Sequence, residues 1–221
     1  MSFRSETYRV LIASPSDLPE ERQAATDAIN EWNAQHTAAE GIVLLPVKWE
    51  THAVPETGRR PQEAINRQLV QECDILVGMF WTKLGTATGA AESGTVEEID
   101  QFVAAGRKAM LYFSSRPIDP NKIEPKQHRK LRAFKAATYS KALTGTFASL
   151  DELREVLLRD LTRQVRQLRT GRSAMGGKLE QAFRLTELIR LHKQNSITPE
   201  EFERYRDDLI GPRRRSKAAT S

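Results

Sequence analysis

Residues 73–114 constrain the fold more than any other part of the chain. Cys73-Asp74-Ile75-Leu76-Val77-Gly78-Met79-Phe80-Trp81 is an apolar run too short for a helix, and reads as a strand. A loop of small residues follows at 82–93. A helix is expected to open at Thr95-Val96-Glu97-Glu98 and to stop at Gly106. Ala109-Met110-Leu111-Tyr112-Phe113-Ser114 is then a second strand. Strand, loop, helix, strand is the repeating unit of a parallel sheet, because parallel neighbours need a crossover between them. In open parallel sheets, ligands sit beyond the carboxyl ends of the strands. Loop 82–93 and the first turn of the following helix, which carries Glu98, belong at that end. The loop has little apolar mass and two internal glycines, so it is expected to move and to close over a bound ligand.

The flanking sequence extends the alternation. Residues 8–14 read as a first strand, and 42–49 as a second. Between them lies a helix with Ala25, Ile29 and Trp32 on its inner face. Asp17 and Glu20 have capping-box spacing at its start, with Pro19 in the first turn. Residues 51–60 are a loop, and 61–73 a helix with Ile65, Leu69 and Cys73 inward. After the central unit come a Pro-rich loop at 116–124, a basic helix at about 125–137 and a short strand at 145–148. Ser149 and Glu152 then start a helix with Leu153, Leu157, Leu161, Val165 and Leu168 at near four-residue spacing. The fold class is therefore α/β: a flavodoxin-like parallel sheet in the order 2-1-3-4-5, helices on both faces. That order sets the loops after Ser14 and after Trp81 on either side of one crevice.

Residues 1–170 form this domain. Residues 171–178 read as a linker, through Arg172-Ser173-Ala174-Met175-Gly176-Gly177. Residues 179–211 form a two-helix hairpin. Thr198-Pro199-Glu200-Glu201 is a capping box, and Ile197 and Phe202 are placed as a hydrophobic staple. A hairpin this small buries too little surface to stand alone, so assembly or partner binding is expected of it. Residues 212–221 are a basic tail expected to be disordered.

Charge separates these parts. Of 34 Lys and Arg and 29 Asp and Glu, residues 1–159 hold 20 and 21, and residues 160–221 hold 14 and 8. The main domain thus has no overall basic signature, and nucleic acid is not expected as its partner. No apolar run is long enough to cross a membrane, and the start of the chain lacks a signal-peptide core. Cys73 is the only cysteine. There is no disulfide framework, the expected compartment is the cytoplasm, and the thiol reads as buried and inert.

Several chemistries lack their motifs. Gly85-Thr86-Ala87-Thr88-Gly89 is not followed by Lys-Ser/Thr, and neither G-x-G-x-x-G after the first strand nor G-x-S-x-G occurs. His36, His52, His128 and His192 have no ligand spacing, so no metal site is expected. The remaining candidates are acidic: Glu92, Glu97, Glu98 and Asp74. Thr95-x-x-Glu98 is itself a capping box, which explains Glu98 without any chemistry. The alternative is catalytic, since a carboxylate beneath a sugar stabilises, or attacks, the oxocarbenium-like state of N-glycosidic cleavage. Trp81, Trp49 and Tyr8 are either core residues or surfaces on which a base stacks.

Three segments carry a resemblance: Ser14-Pro15-Ser16-Asp17-Leu18-Pro19-Glu20-Glu21-Arg22, then Cys73 through Gly78, then Ser93-Gly94-Thr95-Val96-Glu97-Glu98-Ile99 with Gly106-Arg107-Lys108. Together they resemble a bacterial TIR-like family of unknown function, itself similar to TIR domains and nucleoside 2-deoxyribosyltransferases. The resemblance spans residues 8–161. It implies that Glu98 is the catalytic carboxylate, that Asp74 and Glu92 position ribose or the glutamate, and that Ser14, Ser16 and Asp17 shape the phosphate or ribose side of the crevice; Trp81 is taken as substrate-binding from its residue type, as a surface for the base. Asp100 stands where the transferases have glycine, and the Trp-Cys pair that precedes the TIR glutamate is missing. The implied activity is NAD+ cleavage in bacterial antiphage immunity, switched on by assembly, with NAD+ as substrate and no cofactor. Nucleoside glycosidase or deoxyribosyltransferase chemistry, or a non-catalytic nucleotide-sensing adaptor, are the alternatives. The hairpin resembles a short C-terminal helical domain of bacterial proteins, which implies a homo-oligomer or a defence-system partner.

Overall fold

The apolar runs pair as parallel strands in the computed structural model, which describes residues 2–52, 61–139, 144–194 and 196–210. Strands β1 (Glu6–Ala13), β2 (Ile42–Val47), β3 (Ile75–Phe80), β4 (Ala109–Ser114) and β5 (Gly145–Phe147) form one sheet in the order β2-β1-β3-β4-β5. All four pairings are parallel, and β1 meets β3 from Val10↔Ile75 to Ala13↔Gly78. All six residues of β3 are buried, as are the last four of β1. Such strands are covered on both faces, which is why they read as continuous apolar runs rather than alternating ones.

Helices α1 (Pro19–Glu40), α2 (Trp49–His52), α3 (Pro61–Gln68), α4 (Gly94–Ala104) and α5 (Pro125–Tyr139) surround the sheet, and α6 (Leu150–Lys193) and α7 (Pro199–Ile210) complete the chain. Ala25, Ile29 and Trp32 are buried on α1, and the Trp32 indole donates to Thr162 Oγ1 at 2.9 Å. On α5, Leu131 is buried and Phe134 packs against Phe80, centroid to centroid 5.1 Å.

Several local expectations change. The second strand ends at Val47, and Trp49 opens a short helix instead of closing the strand. The expected helix 61–73 is α-helical only to Gln68 and continues as a 3-10 turn, Val70–Glu72, with Leu69, Val70 and Cys73 buried. The side chain of Ile65, most of loop 51–60 and the 212–221 tail lie outside the described residues. The N-cap of α1 is Leu18 with no side-chain bond, so Asp17 forms no capping box there. Ser149 does cap α6, accepting from Glu152 N at 3.1 Å, while Glu152 reaches back one residue further, to Ala148 N.

The chain divides into two compact units between Thr162 and Arg163, inside α6. The segment expected as a linker, 171–178, is helical. Its glycines cost a helix roughly 1 kcal/mol each relative to alanine, a penalty too small to break a long run of good helix formers. In the second unit, α7 runs antiparallel to the end of α6. His192 stacks on Phe202 at 4.6 Å, and Gln181 donates to the Leu209 carbonyl. The Thr198 capping box forms in both directions, Thr198 N to Glu201 at 2.9 Å and Glu201 N to Thr198 Oγ1 at 3.2 Å.

Two outcomes follow from this packing. A Cβ on Gly145 would lie 2.4 Å from the Tyr112 ring, whose hydroxyl is pinned to Asp160 at 2.9 Å. Gly145→Ala is therefore expected to lower stability by about 1–3 kcal/mol in urea titration; an unchanged midpoint would refute the close approach. Burial pushes the Cys73 thiol up to about 12. An alkylating reagent at pH 8 should leave folded protein unmodified and label it only as it unfolds. Prompt labelling in native buffer would contradict the packing.

Candidate functional site

Five segments at the carboxyl edge of the sheet enclose a cavity of about 700 Å³. Ser14, Pro15 and Ser16 come from the end of β1. Trp49 and Gln62 follow β2, and Lys83 with Gly85 through Thr88 follow β3. Gly94, Thr95 and Glu98 open α4, and Glu124 and Gln127 lie beyond β4. The order of the sheet produces this site: β1 and β3 are neighbours whose crossovers leave in opposite directions, and the crevice opens where they part.

Glu98 is in the wall, 7% exposed. The capping explanation for it does not hold. The N-cap of α4 is Ser93, whose hydroxyl accepts from Val96 N at 3.1 Å, and the helix starts at Gly94. Glu98 is the fifth helical residue, two residues past the position from which a capping-box glutamate reaches back. Its Oε1 instead accepts from Gln62 Nε2 at 2.9 Å. Gln62 also donates to Asn66 Oδ1 at 3.1 Å, and Asn66 donates to Glu97 Oε1 at 2.9 Å. The second oxygen of Glu97 takes the Thr88 hydroxyl. One polar chain thus connects Glu98, two side chains of α3, Glu97 and the loop. Gly94 permits it: a Cβ there would stand 2.4 Å from Gln62 Oε1.

The loop after β3 is tied at its base. Asp17 Oδ2 accepts from Thr82 N at 2.9 Å, Thr82 Oγ1 at 2.6 Å and Lys83 N at 3.2 Å. Gln127 acts on the next two residues, its Oε1 accepting from Leu84 N and Gly85 N, both at 3.2 Å, and its Nε2 donating to Gly85 O at 3.1 Å. Gly85 has φ +110°, a conformation that favours glycine. Lys83 pairs with Glu124 at 2.5 Å, and that hydrogen bond raises the ammonium's pKa. Thr86, Ala87, Gly89 and Ala90, further along the loop, are exposed.

The residues expected at the site separate into three groups. Glu98, Ser14 and Ser16 line the cavity, and Ser14 Oγ accepts from Arg22 at 3.1 Å. Asp17 stands behind the wall and holds it. Asp74, Trp81 and Glu92 are not among the lining residues. Asp74 precedes β3, at the opposite end of the strand from the cavity, and pairs with β1: its Oδ2 accepts from Arg9 N and its own N donates to Arg9 O, both at 2.9 Å. Trp81 is covered by the Arg116 guanidinium, 4.4 Å above its ring, and its Nε1 donates to Arg116 O at 3.3 Å. Arg116 in turn pairs with Glu21, which is fully buried and whose pKa burial raises. Glu92 is exposed on the loop. Tyr8 is a core residue, whereas Trp49, 49% exposed, is the tryptophan at the cavity. Gln62, Asn66, Lys83, Glu124 and Gln127 carry no local signal, since amides and surface charges on separate helices meet only through the fold. Among the described residues no group of three His, Cys, Asp or Glu side chains is placed to hold a metal.

Replacing Asp17 by alanine removes one acceptor from three donors. The expected loss is about 2–3 kcal/mol, because the amides of Thr82 and Lys83 lose a charged partner. Amide exchange at those two residues should accelerate relative to that of the β3 core. Unaltered protection there would mean that the loop is held by something else.

Comparison with known proteins adds one assignment. Among solved structures, a conserved protein from Enterococcus faecalis V583 is similar at 16% identity, over 70% of this chain and 99% of its own, with a TM-score of 0.39. Oxidised flavodoxin 1 from Bacillus cereus is similar at 15% identity, over 73% of this chain and 98% of its own, with a TM-score of 0.33. No curated protein matches the sequence. Residues 9–162, which include every residue that lines the cavity, match a family described as a domain of unknown function. The chain belongs to that family, DUF4062.

Proposed function

We propose that the cavity binds a nucleotide and that Glu98 cleaves its N-glycosidic bond, with NAD+ as the substrate. The observation that carries this reading is the placement of Glu98: a buried carboxylate in the wall of a 700 Å³ cavity, at the switch point of a parallel sheet, not employed as a helix cap. A carboxylate held in such a low-dielectric wall stabilises positive charge developing on a ribose far better than one in water. As the C1′–N bond breaks, its electron pair goes to the pyridinium nitrogen, and nicotinamide leaves neutral. No proton donor is then needed, so one carboxylate is enough. Glu98 stabilises the sugar cation or bonds to C1′; water then adds at C1′, displacing Glu98 if it is bonded there, and its proton passes to solvent. Trp49 offers a flat surface to a base, and Lys83 a cation to phosphate. This matches the TIR-like resemblance of residues 8–161, a cytoplasmic enzyme of antiphage defence.

Nicotinamide release from NAD+ tests the reading. Glu98→Gln keeps an acceptor for Gln62 but no charge, and should lower turnover by about 10²-fold or more while the melting temperature barely moves. Turnover of nucleosides in place of NAD+ would turn the assignment to a glycosidase or deoxyribosyltransferase. Assembled wild-type protein that binds nucleotide and leaves every substrate intact is a sensor or adaptor.

Assembly through the second unit belongs to the same proposal. Phe183 is 74% exposed and Tyr205 42%, beside a cleft between α6 and α7 that Leu188, Leu191 and Leu209 also line. Phe183→Glu with Tyr205→Glu is expected to reduce the mass seen by light scattering and to lower NAD+ turnover with it. If mass and turnover both stay at the wild-type values, this face has no part in activation.

A further inference from the structure

The near-neutral balance of residues 1–159 conceals a local excess. Between residues 122 and 139 the chain has six Lys and Arg and one acid, Glu124. Most of this charge is on α5, where Lys126, Arg129, Lys130, Arg132 and Lys135 occur with no Asp or Glu. Lys126, Arg129 and Arg132 are exposed, and Lys130 and Lys135 half-buried. None of the five makes an ion pair with a described residue. Like charges three and four apart repel by about 0.2–0.5 kcal/mol per pair, and surface helices ordinarily relieve this with intervening glutamates. On α5 no ion pair with a described residue relieves it.

The geometry fits an extended polyanion. Leu131 is buried and Phe134 packs on the core, so the opposite side of the helix faces outward, with Lys126, Arg129 and Arg132 along it. At 1.5 Å per residue these cations succeed one another about every 4.5 Å. Just beyond Arg132 stand the exposed Ala133 and Ala136, which let a ligand backbone approach closely. A cleft of about 550 Å³, lined by Ile123, Pro125, His128, Arg129, Arg132 and Ala133, lies on the same helix. At its far end Tyr139 is 45% exposed, with the Lys135 ammonium 5.4 Å from its ring centre. An exposed aromatic beside a row of cations is how single-stranded nucleic acid is held: phosphates on the cations, a base on the ring. A membrane surface fits less well. Interfacial helices insert bulky apolar side chains into lipid, and those of α5 face the core.

From these features we infer that the exposed face of α5 binds single-stranded nucleic acid through its phosphate backbone. The inference does not depend on what the cavity does.

Fluorescence anisotropy with a labelled 20-nucleotide single strand, using the full chain, tests it. Wild type should bind, with log K falling against log salt at about −0.7 per phosphate contacted, a slope near −3 for about four contacts. Arg129→Glu with Arg132→Glu should weaken binding at least tenfold and flatten the slope. Arg129→Gln with Arg132→Gln, which relieves repulsion and so keeps the fold, should weaken it in the same direction. Arg166→Glu with Lys193→Glu, the same change in net charge on α6, should leave affinity within about twofold. Absence of wild-type binding, or equal loss from the α5 and α6 variants, would overturn the inference. So would stronger binding to phosphatidylserine vesicles than to the strand.

Discussion

One carboxylate oxygen holds together loops that leave the sheet 65 residues apart. Asp17 Oδ2 takes two backbone amides and a hydroxyl from the start of the loop after β3. It can do so because β1 and β3 are adjacent and in register up to Ala13 and Gly78, so both chains leave the sheet side by side. A carboxylate accepting several hydrogen bonds is strongly held, and a group so held makes a fixed wall. The rest of the site depends on this junction. Lys83 and Gly85 sit where they do because Asp17 anchors one side of the loop and Gln127 the other.

The cavity is therefore built from a rigid base and a more exposed rim. Its base is hydrogen-bonded to the loop after β1 and to α5, while Thr86 and Ala87 on the rim are exposed. Thr88 is nevertheless joined, through Glu97, Asn66 and Gln62, to Glu98. A ligand that displaces this loop acts on the same hydrogen-bonded chain that holds the carboxylate. Low local dielectric makes every link in such a chain stronger and every broken link more costly.

Much of the architecture was legible from pattern. Short β-branched runs alternating with amphipathic stretches give parallel strands and helices, and the burial of β3 on both faces is visible as an unbroken apolar run. The Thr198 capping box was legible too, because its partners are three residues apart. Where a local rule failed, another partner had won. Asp17 has capping-box spacing with Glu20, yet its charge is committed to a loop that arrives only when the sheet closes. Thr95 precedes Glu98 by the same spacing, but Ser93 caps first. Trp81 ends a strand as a stacking residue would, and Arg116 covers it.

The sequence by itself determined the order of elements, the identity of the switch point and the candidacy of Glu98, because each rests on periodicity or on the position of a residue within one element. Only the tertiary structure decided which side chains share the cavity. Gln62, Lys83, Glu124 and Gln127 come from three different crossovers, and no spacing along the chain connects them. It likewise placed Asp74 away from the cavity: heading a strand and facing the cavity are opposite ends of the same six residues, and the direction of the sheet, not the motif, distinguishes them.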